Sequence, residues 1–274
     1  KTLAEGITAE DLNVIIASLP IEDKDAEQRV KLNVLGMLNE AYGITERDFT
    51  RAEIEVVPAY KARDIGLDRA MIGAYGHDDR VDAYPALMAE IGTKSPAYTS
   101  VCVLTDKEET GSDGNTGLRS SYLRYFIADL ASTFGVKGRT VLQNSRCLSA
   151  DVNAAFDPTF PDVFEKRNSA LLNGGVCVTK YTGSRGKSGT SDASAEFAGE
   201  IRRLLDANGV IWQTGELGKV DIGGGGTVAA YIANLDVNTI DVGVPVLSMH
   251  APFEITAKTD IWAAYRAFEA FVNN

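Results

Sequence analysis

Three cysteines and two histidines are few for a chain of 274 residues, and each scarcity restricts the chemistry. Cys102, Cys147 and Cys177 are too widely spaced for a CxxC zinc or redox motif, and an odd number does not build a disulfide framework. Reduced thiols and a cytoplasmic location are the expectation. No apolar run approaches the roughly 18 residues that span a bilayer, and the amino end lacks a basic-then-apolar signal pattern. Positive charge is also short: 27 Lys and Arg stand against 38 Asp and Glu, for a net charge of -11 and a pI near 4.8. Such a surface does not attract phosphate or anionic headgroups, so neither nucleic acid nor a membrane is an expected partner.

With 45% hydrophobic residues, the chain can bury a full core as one large domain or as one plus a smaller one. It opens on Lys1 rather than Met, which sets up the expectation of an upstream segment, removed or carried by another chain. Thr8 and Asp11 resemble a variant capping box ahead of a helical stripe of Leu12, Ile15 and Ile16 that Pro20 would stop. Val30, Val34, Leu35 and Leu38 predict a second helix ending at Gly43, and Ala52 to Val57 alternates like a half-exposed strand. From about residue 70, apolar strands alternate with amphipathic helices, the pattern of a layered α/β domain. The predicted strands are 98–104, 146–152, 176–181, 210–214 and 240–247. Helical stripes run through Leu123, Phe126, Ile127, Leu130 and Phe134, through Phe197, Ile201, Leu204 and Leu205, and through Ile261, Tyr265, Phe268 and Val272.

Acids and histidines fall where strands end: Asp78 and Asp79 before a helix, Glu108 and Glu109 after a strand, Asp151 near a strand end, His250 after the last strand. Strand ends are where α/β sheets collect ligands. Carboxylates packed together raise one another's pKa unless cations lie between them. Zinc accepts Asp, Glu and His, and a metal pair about 3.5 to 4 Å apart needs a bridging carboxylate, for which Asp78 is the candidate. Of two adjacent glutamates, one can coordinate while the other takes a proton from water. Against this, acidic pairs on loops are usually solvated surface, and His250 reads equally well as a buried structural histidine. His77 is assigned no site role. Gly186-Lys187-Ser188 copies the end of a P-loop, but the glycine required at position 181 is Tyr181. Gly223 to Gly226 reads instead as a loop of close backbone approach.

Taken in order, GAYGHDDRVDAY (73–84), TDKEETGS (105–112), LSADVNAAFDPT (148–159), GELGKVDIGGGGTVA (215–229) and MHAP (249–252) resemble the aspartyl-aminopeptidase family of dinuclear zinc exopeptidases. VKLNVLGMLNEAYGIT (30–45) and ARDIGLDRAMIGAYG (62–76) are similar to its bacterial branch. The resemblance implies hydrolysis of the N-terminal residue of a peptide substrate by two Zn2+ ions, with Co2+ or Mn2+ as substitutes. Asp78 would bridge the metals, Asp79 would not be a ligand, Glu108 would be the general base, and Glu109 and His250 would bind one metal while Asp151 binds the other. Related dinuclear peptidases aim the bridging aspartate with a cis peptide bond, so the Asp78–Asp79 bond is expected to be cis.

The implied fold is a mixed sheet flanked by helices, interrupted by a second domain that makes a dimer, with dimers building a tetrahedral dodecamer. Residues 1–69 would be the C-terminal portion of that dimerisation domain, and residues 70–274 an incomplete catalytic domain. An upstream fragment of the same precursor would supply a further histidine ligand. After the SADV segment, Asn153 and Ala154 stand where many relatives carry a histidine. Some relatives select acidic residues with a basic side chain near the pocket, and Lys180 lies near the relevant strand, but no acidic preference is assigned. Two rival readings are a carboxypeptidase or N-acyl amino-acid deacylase with the same ligands, and a non-catalytic assembly subunit. The latter would need none of the five residues Asp78, Glu108, Glu109, Asp151 and His250.

Overall fold

A computed structural model describes residues 3–185, 189, 191–219 and 221–274, so the Gly186-Lys187-Ser188 stretch lies outside the described residues. The chain divides into two compact units, Lys1–Val57 and Pro58–Asn274. The second unit begins at Pro58, and within it Arg63–Ile65 pairs as a strand with Met71–Gly73.

In the first unit, helices α1 (Leu3–Gly6) and α2 (Arg29–Tyr42) are joined by irregular chain. The second helix forms where its stripe predicts and ends on Gly43, whose φ of 69° suits a residue without a Cβ. The first predicted helix does not form. Thr8 Oγ1 donates to Asp11 Oδ2 at 2.9 Å, but only the single 3₁₀ turn Ala9–Asp11 follows. Leu12, Ile15 and Ile16 are exposed, so no burial repays the unfavourable first turn. The predicted strand at 52–57 is irregular for the same reason, with Ile54 and Val56 open to solvent. None of the residues of this unit whose burial is described is buried.

Among the described residues the second unit carries eleven strands: β1 (Arg63–Ile65), β2 (Met71–Ala74), β3 (Arg146–Ser149), β4 (Asn153–Ala154), β5 (Val176–Thr179), β6 (Gly183–Ser184), β7 (Trp212–Thr214), β8 (Gly224–Gly225), β9 (Asn238–Gly243), β10 (Pro245–Leu247) and β11 (Glu254–Ala257). Its helices are α3 (His77–Gly92), α4 (Tyr122–Thr133), α5 (Gly138–Gln143), α6 (Ala195–Ala207), α7 (Ala229–Ala233) and α8 (Lys258–Val272). One mixed sheet has the order β1-β2-β11-β10-β4 and a second the order β3-β9-β5-β7, with β6 and β8 forming a separate ribbon. Mixed sheets flanked by helices are the expected class. The core joins Val176, Val178, Ile240, Val242, Val244 and Val246 to Phe197, Ile201 and Leu205 of α6 and to Ala264, Ala267 and Phe268 of α8. Each large side chain buried there contributes about 1.5–3 kcal/mol. The start of α6 is secured by Ser194, whose Oγ accepts the Phe197 N–H at 3.2 Å.

Two strand expectations need correction. Residues 98–104 pair with no strand among the described residues, and Tyr98, Val101, Val103 and Leu104 remain exposed. Residues 240–247 are two strands, because the chain passes from one sheet to the other at Val244. The neighbouring β3 and β4 make the same crossing between Ser149 and Asn153. These paired crossings open the space in which the acids gather. No helix among the described residues is long and apolar enough to cross a membrane.

Candidate metal centre

Asp151 sits in the gap between β3 and β4, beside the point where β9 gives way to β10. There the Asn153 N–H donates to the Val244 carbonyl at 2.9 Å. Gly243 makes the approach feasible, since a Cβ at that position would stand 1.7 Å from the Asp151 carbonyl oxygen. From the far side, Asp82 Oδ2 accepts the Val244 N–H at 3.1 Å and so occupies the opening between the sheets.

Asp78 arrives from β2. The chain turns through Gly76 at φ 72°, and Asp78 and Asp79 keep non-helical torsions at the front of α3. The Asp78–Asp79 peptide bond is cis. Glu108 and Glu109 open a single 3₁₀ turn between left-handed Lys107 and Gly111. His250 lies in the turn after β10 with φ 65°, and its Nε2 stands 2.9 Å from Asp78 Oδ2 and 3.2 Å from Glu109 Oε1. Asp78, Glu109 and His250 bring their ligand atoms within 4.8 Å of one another, and so do Asp78, Asp79 and Asp151. Asp78 is common to both groups.

The predicted residues therefore converge. Glu108 belongs to neither group but lines the same cavity of about 630 Å³, together with Asp78, Glu109, Asp151 and His250. Apolar side chains, among them Val152, Leu217 and Met249, complete its wall. Of the Gly223–Gly226 stretch, Gly225 and Gly226 line this cavity, while Gly224 pairs with Ser184 so closely that a Cβ on it would meet the Gly183 carbonyl at 2.3 Å. His77 is buried and its Nε2 hydrogen-bonds the Ile72 carbonyl at 3.1 Å, outside both groups. Lys180 pairs with Asp192 at 2.6 Å and does not line the cavity.

Burial pushes the Asp78 carboxyl up to about 7, with Glu109 adding to the effect. Burial likewise raises Asp151, helped by Asp241, and raises Glu108, helped by Glu109. Asp79 is raised by burial and by Asp82. These acids resist ionising together, and among the described residues no lysine or arginine ion-pairs with any of them. Asp79 Oδ1 and Asp82 Oδ1 are buried without a hydrogen-bond partner. A cation among them would relieve this crowding, and an imidazole with several carboxylates is a donor set that zinc takes. Sequence reasoning missed Asp82 and Glu254, which accept hydrogen bonds from backbone N–H groups beside the ligand groups. Their shared signal is a position four residues after Asp78 and His250 respectively, one helix turn in the first case.

The family described as aminopeptidase I zinc metalloprotease (M18) matches residues 4–272. A probable M18 family aminopeptidase 1 of Clostridium acetobutylicum is 49% identical over 278 residues, covering 100% of this chain and 60% of that protein. The crystal structure of aminopeptidase I from the same organism superposes with a TM-score of 0.88 at 47% identity, over 99% of this chain and 61% of that one. The M18 aminopeptidase of Thermotoga maritima gives 0.88 at 44% identity, over 94% and 58%. This chain thus spans about 60% of the length of the relatives it matches. With that match across nearly every residue, and with acids and an imidazole gathered as zinc requires, the chain belongs to the aminopeptidase I zinc metalloprotease (M18) family.

Proposed function

We propose that this chain forms the greater part of an aminopeptidase that removes the N-terminal residue from peptides using two zinc ions. Asp78 would bridge the pair, Glu109 and His250 would hold one ion, and Asp151 would hold the other. The observation that carries the reading is the membership of Asp78 in both ligand groups, since a bridging carboxylate must reach both ions. When bound, zinc supplies Lewis-acid polarisation of the scissile carbonyl and makes water a better nucleophile. Glu108, whose carboxyl burial raises above its usual range and which lines the same cavity, would accept the proton from the attacking water and deliver it to the leaving amine. The apolar wall would exclude bulk water and receive the first side chain of the peptide.

The second ligand group holds only carboxylates, and we propose that a histidine from beyond these residues completes it, as the greater length of the relatives permits. Residues 1–69 would be the C-terminal portion of a dimerisation domain, a reading supported by Lys1–Val57, where no residue whose burial is described is buried. Assembly as a homo-oligomer is part of the same proposal, with a dodecamer as its form. A yeast protein of the same fold, 22% identical, is described as a dodecamer. The free thiols of Cys102, Cys147 and Cys177 support a cytoplasmic setting.

The test compares free and N-acetylated peptides with the full-length protein, with and without a chelator. Release of the first residue from the free peptide alone, abolished by chelation and restored by zinc, is expected. Cleavage of the blocked peptide would favour a deacylase or carboxypeptidase, and no cleavage of either would favour an assembly subunit.

A further inference from the structure

Glu254 is 2% exposed, and among the described residues no lysine, arginine or histidine ion-pairs with it. Acidic side chains are almost never fully buried unless paired, so its partners indicate its task. They are two backbone N–H groups. Oε1 accepts from His250 at 2.7 Å and Oε2 from Asp78 at 3.1 Å. One carboxylate thereby ties together the main chains of two residues that carry the ligand atoms of the same group, drawn from opposite ends of the second unit.

The sheet explains why Glu254 can do this. It opens β11 and pairs with Ala74 at the end of β2, so its backbone is fixed beside the point where the chain turns toward Asp78. On its other side the turn from Leu247 to Glu254 needs restraint. Ser248 and His250 both lie in the left-handed region, with φ of 58° and 65°, which residues other than glycine seldom occupy. The Ala251 N–H bonds back to Ser248 at 2.9 Å, which closes the turn but leaves the His250 amide to Glu254. Bonds from N–H to an ionised carboxylate are stronger than neutral ones.

We propose that Glu254 is a positioning residue for the metal centre. It sets the separation between Asp78 and His250, and with it the affinity of the ion that Asp78, Glu109 and His250 hold. This rests on the metal reading given above. Outer partners that orient ligands typically change metal affinity by about 10- to 100-fold when removed.

The test uses the full-length protein, stripped of metal and titrated with Zn2+ against a chromophoric chelator, with Co2+ absorption read in parallel. Glu254→Gln keeps the size but presents an amide NH2 to one of the two N–H groups. It should weaken one of the two zinc sites about 10- to 100-fold and alter the Co2+ spectrum, while the metal-free variant still unfolds cooperatively. Glu254→Asp keeps the charge but not the reach, and should show the same loss. Should Glu254→Gln not fold, Glu254→Asp decides by the same readings. Parental affinity and spectrum in Glu254→Gln, or their recovery in Glu254→Asp, would overturn the positioning role and leave the metal reading intact. A parent protein that takes up no zinc would overturn both.

Discussion

Replacing Gly243 with alanine should destabilise the protein, although the same change at an unstrained site usually stabilises. Gly243 has no left-handed φ, so alanine meets no backbone penalty there, and reduced freedom of the unfolded chain would favour it by about 0.4–1 kcal/mol. Opposing this, the new Cβ would stand 1.7 Å from the Asp151 carbonyl oxygen and 2.9 Å from Asp82 Oδ2. The first obstacle is backbone, held by the Asn153 N–H bond to Val244 at 2.9 Å, and cannot rotate away. Separating the strands by roughly 1 Å or more falls among overpacking changes that cost about 1–3 kcal/mol. At the middle of both ranges the steric cost outweighs the entropic gain, for a net loss of about 1 kcal/mol. Urea titration of the metal-free protein measures it, provided the denaturant slope is unchanged. Because Asp151 moves with its carbonyl, zinc uptake should fall as well. An alanine variant as stable as the parent would refute the argument that the crossing strands are in contact at this point.

Glu109→Ala and His250→Ala should each release one zinc more readily than the other, measured by metal analysis after dialysis, since each removes one ligand from a single group. Asp260→Ala should cost roughly 1–3 kcal/mol for each of the two N–H groups it leaves unmet, those of Asn173 and Gly175, without changing zinc affinity; chemical denaturation and metal titration separate the two effects. Asp241→Asn bears on pH. Burial raises the folded Asp241 carboxyl from 3.8 to about 7, so the folded state holds a proton that the unfolded chain releases. Stability from this group is present below pH 3.8 and is lost as pH rises to about 7. The metal-free asparagine variant should therefore gain on the parent across that window and no further above it, as paired denaturation curves at several pH values would show.

Much of the fold was legible because its helices carry their own signal. The stripes of α2, α4, α6 and α8 each have apolar residues at helical spacing, and each forms where expected. Patterns that presume a partner did less well. Leu12, Ile15 and Ile16 have helical spacing and Val101 and Val103 have strand character, yet neither set has a surface to bury against in these residues. β1, β2 and β11 are too short for alternation to be counted. The crossing at Val244 is silent in sequence, since the strand is buried on both sides of it. At the candidate metal centre, Asp78, Glu109, Asp151 and His250 were legible as acids and an imidazole at strand ends. Glu254 and Asp82 were not, because their partners are main-chain amides that any residue would offer.

On the reading proposed above, the clustered residues hold metal while Glu108 moves the proton. Zinc content and peptide turnover of Glu108→Gln in the full-length protein test it most directly. Parental zinc content is expected, with turnover reduced by about 10²- to 10⁴-fold, since only proton transfer is removed. Loss of zinc from this variant would instead make Glu108 a ligand, and parental turnover would place the base elsewhere; either result would rule out this division of roles.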